Sequence, residues 1–287
     1  MNVETDDDTV NGVVYVQDGV ERRQEADVVI LSAFCIETPR LLLHASSSRF
    51  PDGLANSSGT VGRYLMAHVA DSHIGFFDQP IHMWSTAPGT LLSQHHYGTR
   101  EGSSHVGGWS WMTASLFPGE FAKTLCRSRP GLWGSELIGY LRRYPNVAVL
   151  GTEGECLPYE TNRVELSDEP DAFGVPRPTV TFDFGDNERS MRKEIHEEAT
   201  AILEGAGAGE VLIAEGNDHT MGGCRMGRDP ATSVVDANLK AHDLANLYVC
   251  DASVFVTSGG AQPSQTIMAL ATRLAEHLRS GAARRAA

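Results

Sequence analysis

A chain of 287 residues has room for one large domain or two smaller ones, with a core above the size at which disulfides or metals must hold it together. Its 37 Asp and Glu against 23 Lys and Arg leave a formal net charge of −14, which repels phosphates and argues against a nucleic-acid surface or an anionic membrane as partner. Five cysteines (Cys35, Cys126, Cys156, Cys224 and Cys250) with no CxxC pair read as reduced, mostly buried thiols rather than a disulfide framework or a zinc site.

In chain order, MNVETDDDTV is acidic where a secretory leader is basic and then apolar, and no run approaches a membrane span. The expected compartment is the cytoplasm, unless an upstream region or a partner carries an export signal. Residues 11–16 and 26–33 alternate or run apolar as strands do, with Asp18-Gly19 as the turn between them. DVVILSA has the near-continuous apolar character of a strand buried on both faces. Thr38-Pro39 opens a short helix over 40–45, since proline is tolerated in a first turn.

Residues 54–68 read as a loop and then a helix, with Ser57, Ser58 and Thr60 as possible caps. Aromatics, histidines and glycines crowd 69–116, ending in a strand at 106–116 around Trp109 and Trp111. Helices follow at 119–126 and 132–143, strands at 147–151, 162–166 and 179–184, and a helix with a charged outer face at 188–203. EGAGAGE at 204–210 is a connector rather than a phosphate loop, because it follows a helix instead of a strand and its spacing is not GxGxxG.

The last stretch carries the chemistry. HTMGGCRMGRDP puts His219 on a glycine-rich turn whose Gly222 and Gly223 allow close backbone approach. A strand at 247–250 ends in Asp251, and Gly259-Gly260 leads to Pro263 at the first turn of a closing helix. Ile267, Leu270, Ala271, Leu274 and Leu278 form its apolar face, while Thr272, Arg273, Glu276 and Arg279 face water. The positive end of that helix suits an anion or a developing negative charge. Imidazole titrates near neutrality, so His219 is the candidate general base. His95-His96 lacks the spacing and third ligand of a zinc site, so no metal is expected there and the pair reads as a solvated or substrate-facing loop. Trp109 and Trp111 share one side of a strand, and sheet packing is set against stacking on a sugar.

HTMGGCRMG, SVVDANLKAHDLANLYVCDASVF and QPSQTIMALATRLAEHL resemble the C-terminal region of the glucose–methanol–choline (GMC) family of flavin-dependent oxidoreductases. CIETPRLLL (35–43) is similar to that family's second signature, and NRVELSDEPDAFGVPRP (162–178) to its substrate-domain entry. Three positions depart from the pattern. The first signature and its GxGxxG would lie upstream of Met1, Phe34 and Ser47 stand where the family has glycine, and Gln262 stands where the family has asparagine or a second histidine.

The resemblance implies an α/β plus α+β fold: a partial FAD-binding Rossmann-like domain (1–70 and 215–287) with an inserted mixed-sheet substrate domain (71–214). It implies FAD as cofactor and oxidation of a CH–OH group in a small alcohol or sugar, with His219 as base and Gln262 holding the substrate oxygen. Asp251 and Ala252 would lie along the ribityl and pyrophosphate, and Pro263, Ser264 and Thr266 would stabilise the anionic reduced ring. Each has a plainer alternative: Gln262 as a loop cap, Asp251 as a strand end capping the turn at Ser253. At the level of the whole chain, the alternatives are one half of a split enzyme completed by an upstream chain, or a non-catalytic assembly subunit or inactive remnant of the same fold.

Overall fold

The computed structural model describes residues 2–85, 89 and 91–286, of which 282–286 by backbone alone. Strands β1 (Asn2–Asp6), β2 (Thr9–Gln17) and β3 (Val20–Glu25) form an antiparallel meander. Asp18 and Gly19 take positive φ at the expected turn. The strand across that turn is β3, however, with Val20 opposite Gln17, and 26–33 contributes only β4 (Val29–Leu31). The charged VERRQE sequence hides β3 because both of its faces are exposed.

Helix α1 (Phe34–His44) starts well before the expected residue 40 and carries Pro39 inside it. Its start is set by Asp251, whose Oδ2 accepts from Phe34 N (3.0 Å) and from Thr38 Oγ1 (2.6 Å), so a carboxylate sits on the positive end of the helix. Phe34 has φ +76, the left-handed region that favours glycine. Residues 54–68 hold no helix: turns lead into β5 (Met66–Val69). Gly62, at φ +84, passes so close to Val164 that a Cβ would lie 2.2 Å from its carbonyl oxygen, and Tyr64 also has positive φ, so a helix cannot form there.

The remaining strands are β6 (Ser72–Phe76), β7 (Leu92–Ser93), β8 (Trp109–Ala114), β9 (Val147–Gly154), β10 (Arg163–Pro170), β11 (Pro176–Thr181), β12 (Glu210–Ala214), β13 (Asn217–Met221) and β14 (Leu247–Val249). A seven-stranded antiparallel sheet runs β12-β6-β9-β5-β13, with β8 also on β9 and β7 on β8. The expected strand at 179–184 lies earlier, as β11, which hairpins with β10. β12 begins on the last residue of the EGAGAGE connector, where the sequence predicts no strand.

Helices α2 (Pro118–Ser128), α3 (Gly134–Arg142) and α4 (Asp186–Gly205) agree with the periodicity. Met191, Ile195, Ala199 and Leu203 make the buried stripe of α4. α5 (Ser264–Ala286) forms as expected, but of its apolar stripe only Leu274 is buried and Ala271 is exposed. Trp109 and Trp111 are buried edge to face on the sheet, the packing alternative. His96 is not solvated: it stacks on Trp109 and bonds Glu198 Oε1 (2.7 Å), while His95 is exposed. All five cysteines are free, Cys126 exposed and Cys250 half-buried.

β4 and β14 pair in parallel, with Val29 opposite Leu247 and Leu31 opposite Val249. β14 is flanked on its other side by Lys240, whereas β4 has no second partner among the described residues. Ile30 on β4 and Phe34 just beyond it are exposed, an unusual state for a parallel pair, which is normally covered on both faces. Among the described residues no helix is long and apolar enough to cross a membrane.

Candidate active site

His219 lies in strand β13 rather than on a turn, and an irregularity in that strand aims it. β13 pairs β5 with Asp218 opposite His68 and Met221 opposite Met66, so two residues of β13 stand against one of β5. This bulge re-aims a side chain, and His219 carries its strain at φ +48. Gly222 turns the chain directly after it: φ is +82, and a Cβ would lie 2.3 Å from Tyr64 O. The close approach read from the glycines is therefore to protein backbone. From there the motif zips along the 3₁₀ turn Ala252–Val254, through Gly222 N to Ala252 O (2.9 Å), Cys224 N to Ser253 O (2.8 Å) and Met226 N to Val254 O (3.0 Å).

The bulge delivers His219 Nδ1 to three partners. Glu153 Oε2 on β9 and Asp218 Oδ1 are each 3.0 Å away, and His68 Nδ1 on β5 is 3.1 Å away. His68 Nδ1 is itself 3.0 Å from the same Glu153 oxygen. His68 and Glu153 are buried, and His219 keeps 30% of its side chain exposed. Hydrogen bonds to Asp218 and then Glu153, opposed by burial, raise the His219 pKa to about 10. The ring therefore does not titrate near neutrality in this chain, as the sequence reading expects of a base. Burial alone pushes the Glu153 carboxyl up, but hydrogen bonds from His219 and His68 outweigh it and hold the group below the usual range.

The loop before α5 docks against the same strands. Ser258 Oγ accepts from Cys156 N (2.8 Å), and Ser110 Oγ on β8 donates to Gly260 O (2.7 Å). Gln262 and Pro263 line a cleft of about 510 Å³ with Thr266, Tyr97 and Met226. Ile267 N donates to Pro263 O (3.0 Å), so the amides of 264–266 precede the first intrahelical bond and remain free for an anion. A flavin's anionic ring fits that donor set. Gln262 is exposed, and its Nε2 lies 3.8 Å from Met112 Sδ. Asp251 and Ala252 lie elsewhere, along the HTMGG segment. Both Asp251 oxygens are engaged, Oδ1 by Ser253 N (2.8 Å) and Oδ2 at the start of α1, which is the capping role set out as its plainer alternative.

Sequence reasoning found His219 and missed His68 and Glu153, which lie 151 and 66 positions away and meet it only through strand pairing. The available signal was an ionisable residue inside each apolar strand, MAHV and VLGTEG.

Residues 158–271 match the family described as GMC oxidoreductase. The chain is 32% identical over 301 residues to 2-methyl-1,2-propanediol dehydrogenase of Mycolicibacterium austroafricanum, covering 96% of this chain and 52% of that protein. It is 32% identical over 273 residues to the fructose dehydrogenase large subunit of Gluconobacter japonicus, covering 91% and 49%. The chain thus spans about half the length of these relatives. A solved variant of the formate oxidase of Aspergillus oryzae, described for its FAD modification, superposes with a TM-score of 0.70 at 17% identity, over 98% of this chain and 59% of that one. At that identity the likeness is one of α/β fold.

Proposed function

From its place in the GMC oxidoreductase family, to which this chain belongs, we propose that it forms the catalytic half of an FAD-dependent enzyme oxidising the CH–OH group of a small polyol or sugar. The family's cofactor, FAD, supplies hydride acceptance when bound. On this reading residues 1–70 and 215–287 build the FAD side and 71–214 the substrate side. Pro263, Ser264 and Thr266 would hold the ring's anionic edge, and the backbone at Asp251 and Ala252 would run along the ribityl and pyrophosphate. On this reading the compartment is the cytoplasm unless an upstream region or a partner carries an export signal, and the length its relatives carry beyond it comes from an adjoining segment or from an upstream chain.

His219 takes the hydroxyl proton at Nε2 while Glu153 keeps the Nδ1 proton in place, as a buried carboxylate does for a catalytic imidazole. The two carboxylates hold the ring cationic until its open side is covered; covering adds burial, the influence that lowers its pKa. Gln262 orients the substrate oxygen through its amide, one methylene farther out than asparagine. The observation that carries the reading is the bulge that turns His219 onto Glu153 beside the loop leading into α5.

The test is the visible spectrum of the purified protein, alone and with a chain supplying the length its relatives carry beyond it. Flavin bands that bleach anaerobically with a vicinal diol or a ketose, about 10²–10⁴-fold more slowly in His219→Ala, are expected. No flavin under either condition overturns the reading. It would favour a non-catalytic assembly subunit, for which the exposure of Gln262 is the supporting observation.

A further inference from the structure

Proton bookkeeping at the histidine pair leaves the cluster one cation short. His68 Nε2 lies 3.4 Å from Ser258 O; in the neutral tautomer that donates to this carbonyl, Nδ1 presents a lone pair. His68 Nδ1, Glu153 Oε2 and Asp218 Oδ1 are then three acceptors converging on His219 Nδ1, at 3.1, 3.0 and 3.0 Å. A single N–H serves one of them well. In that tautomer the His68–Glu153 contact, at 3.0 Å, sets two buried acceptors against each other, a pairing relieved only by a cation or a further proton.

We propose that His68, Glu153, Asp218 and His219 form a binding site for a divalent transition ion of the zinc class. Among the described residues, these four bring one ligand atom each within 4.8 Å of one another. An ion about 2.0–2.1 Å from each donor separates tetrahedral ligands by roughly 3.3 Å, close to the 3.0–3.1 Å triangle of the two Nδ1 atoms and the Glu153 oxygen. Two imidazoles and two carboxylates are a borderline donor set that suits zinc or cobalt rather than calcium or magnesium, which prefer oxygen alone. The Ser258 carbonyl behind His68 is the outer support that ligating histidines characteristically have, fixing the tautomer that offers Nδ1. Two carboxylate charges neutralise the ion, and exposed Asp218 gives it an entrance. Metal in this position pins His219, so zinc is a reversible inhibitor; that consequence, unlike the binding, rests on the reading of His219 as base.

Cobalt(II) added to the full chain without flavin tests the binding separately from catalysis. One equivalent should give the visible ligand-field bands of four-coordinate cobalt, bleached by zinc. His68→Ala and the surface variant Asp218→Asn should each weaken binding by at least the ~10–100-fold that loss of a supporting residue costs. Circular dichroism checks the fold, and Asp218→Asn carries the test if His68→Ala unfolds. Absence of bands in the folded chain, or equal affinity in Asp218→Asn and the parent, overturns the site while leaving the flavin reading untouched. Zinc binding without slower flavin reduction would retain the site and remove His219 from the base role.

Discussion

Two residues near the site show how backbone, rather than side-chain chemistry, fixes identity. Gly222 must be glycine: Gly222→Ala adds a Cβ 2.3 Å from Tyr64 O at a positive φ, so a loss of about 2–4 kcal/mol is expected in urea unfolding. Phe34 is the reverse case, a large exposed ring at φ +76 where the family has glycine. Relief of left-handed strain exceeds the added chain entropy of glycine there. Phe34→Gly should therefore hold or raise stability, by up to about 1 kcal/mol, where glycine in a helix ordinarily costs that much. Gln262 separates stability from function. Being exposed, Gln262→Ala should shift unfolding by less than about 0.5 kcal/mol. If it orients substrate, kcat/KM of the assembled enzyme falls tenfold or more, and an unchanged kcat/KM would return it to a loop cap.

Between elements, the strongest clamp joins the sheet to α4. Asp71, buried between β5 and β6, accepts from Arg192 Nε (2.9 Å) and Nη2 (3.0 Å), His196 Nε2 (2.8 Å) and Gly216 N (2.9 Å). Burial pushes its carboxyl up, but the His196 hydrogen bond, the Arg192 charge and the Gly216 N–H outweigh it and hold the pKa below the ordinary value. A depressed folded-state pKa stabilises fully above the unfolded value, about 3.9, and that share is lost as pH falls through the folded value. Asp71→Ala leaves His196 Nε2 and Gly216 N without their acceptor, while Arg192 keeps Glu215 Oε2 (3.1 Å) and Gly216 O (2.9 Å), and should cost about 1–3 kcal/mol at neutral pH in urea unfolding. The gap between parent and variant should close as the solution is acidified below about pH 4; a gap independent of pH would assign the loss to packing.

At this scale the sequence was legible where periodicity was long and uninterrupted. α4 and α5 carry many turns of one pattern, and β14 is an apolar run ending in a cap-forming aspartate. Legibility failed at 54–68, where Ala55, Gly62 and Tyr64 take positive φ and Gly62 and Tyr64 pass close to the distant backbone of Val164 and Gly222, and at β3, whose charges face water on both sides. His219 could be read from its motif. His68 and Glu153 carry only the faint mark of an ionisable residue within a strand, and the β5–β9 and β5–β13 pairings that bring them together leave none.

For the whole molecule, the open edge of β4 decides solution behaviour. Ile30 and Phe34 are exposed beside a β4 edge that has no strand partner among the described residues, and Met268 on α5 is exposed too. Such an edge recruits another strand. The isolated chain is expected to self-associate and to bind a hydrophobic dye. Ile30→Lys should return it toward a monomer by light scattering with little change in unfolding midpoint, and association unchanged in this variant would place the contact elsewhere.

The β4–β14 pair also sets a timetable. Ser32 Oγ bonds Cys250 O across 218 positions of sequence, so β4 leaves the ribosome long before its neighbour β14 exists. At about 5–20 residues per second, that interval is roughly 10–40 s. During it an apolar strand with both edges open waits in a nascent chain while the large sheet assembles behind it, a natural client for a chaperone. Slowing translation beyond residue 31 would lengthen that wait, and the yield of folded protein should fall with it.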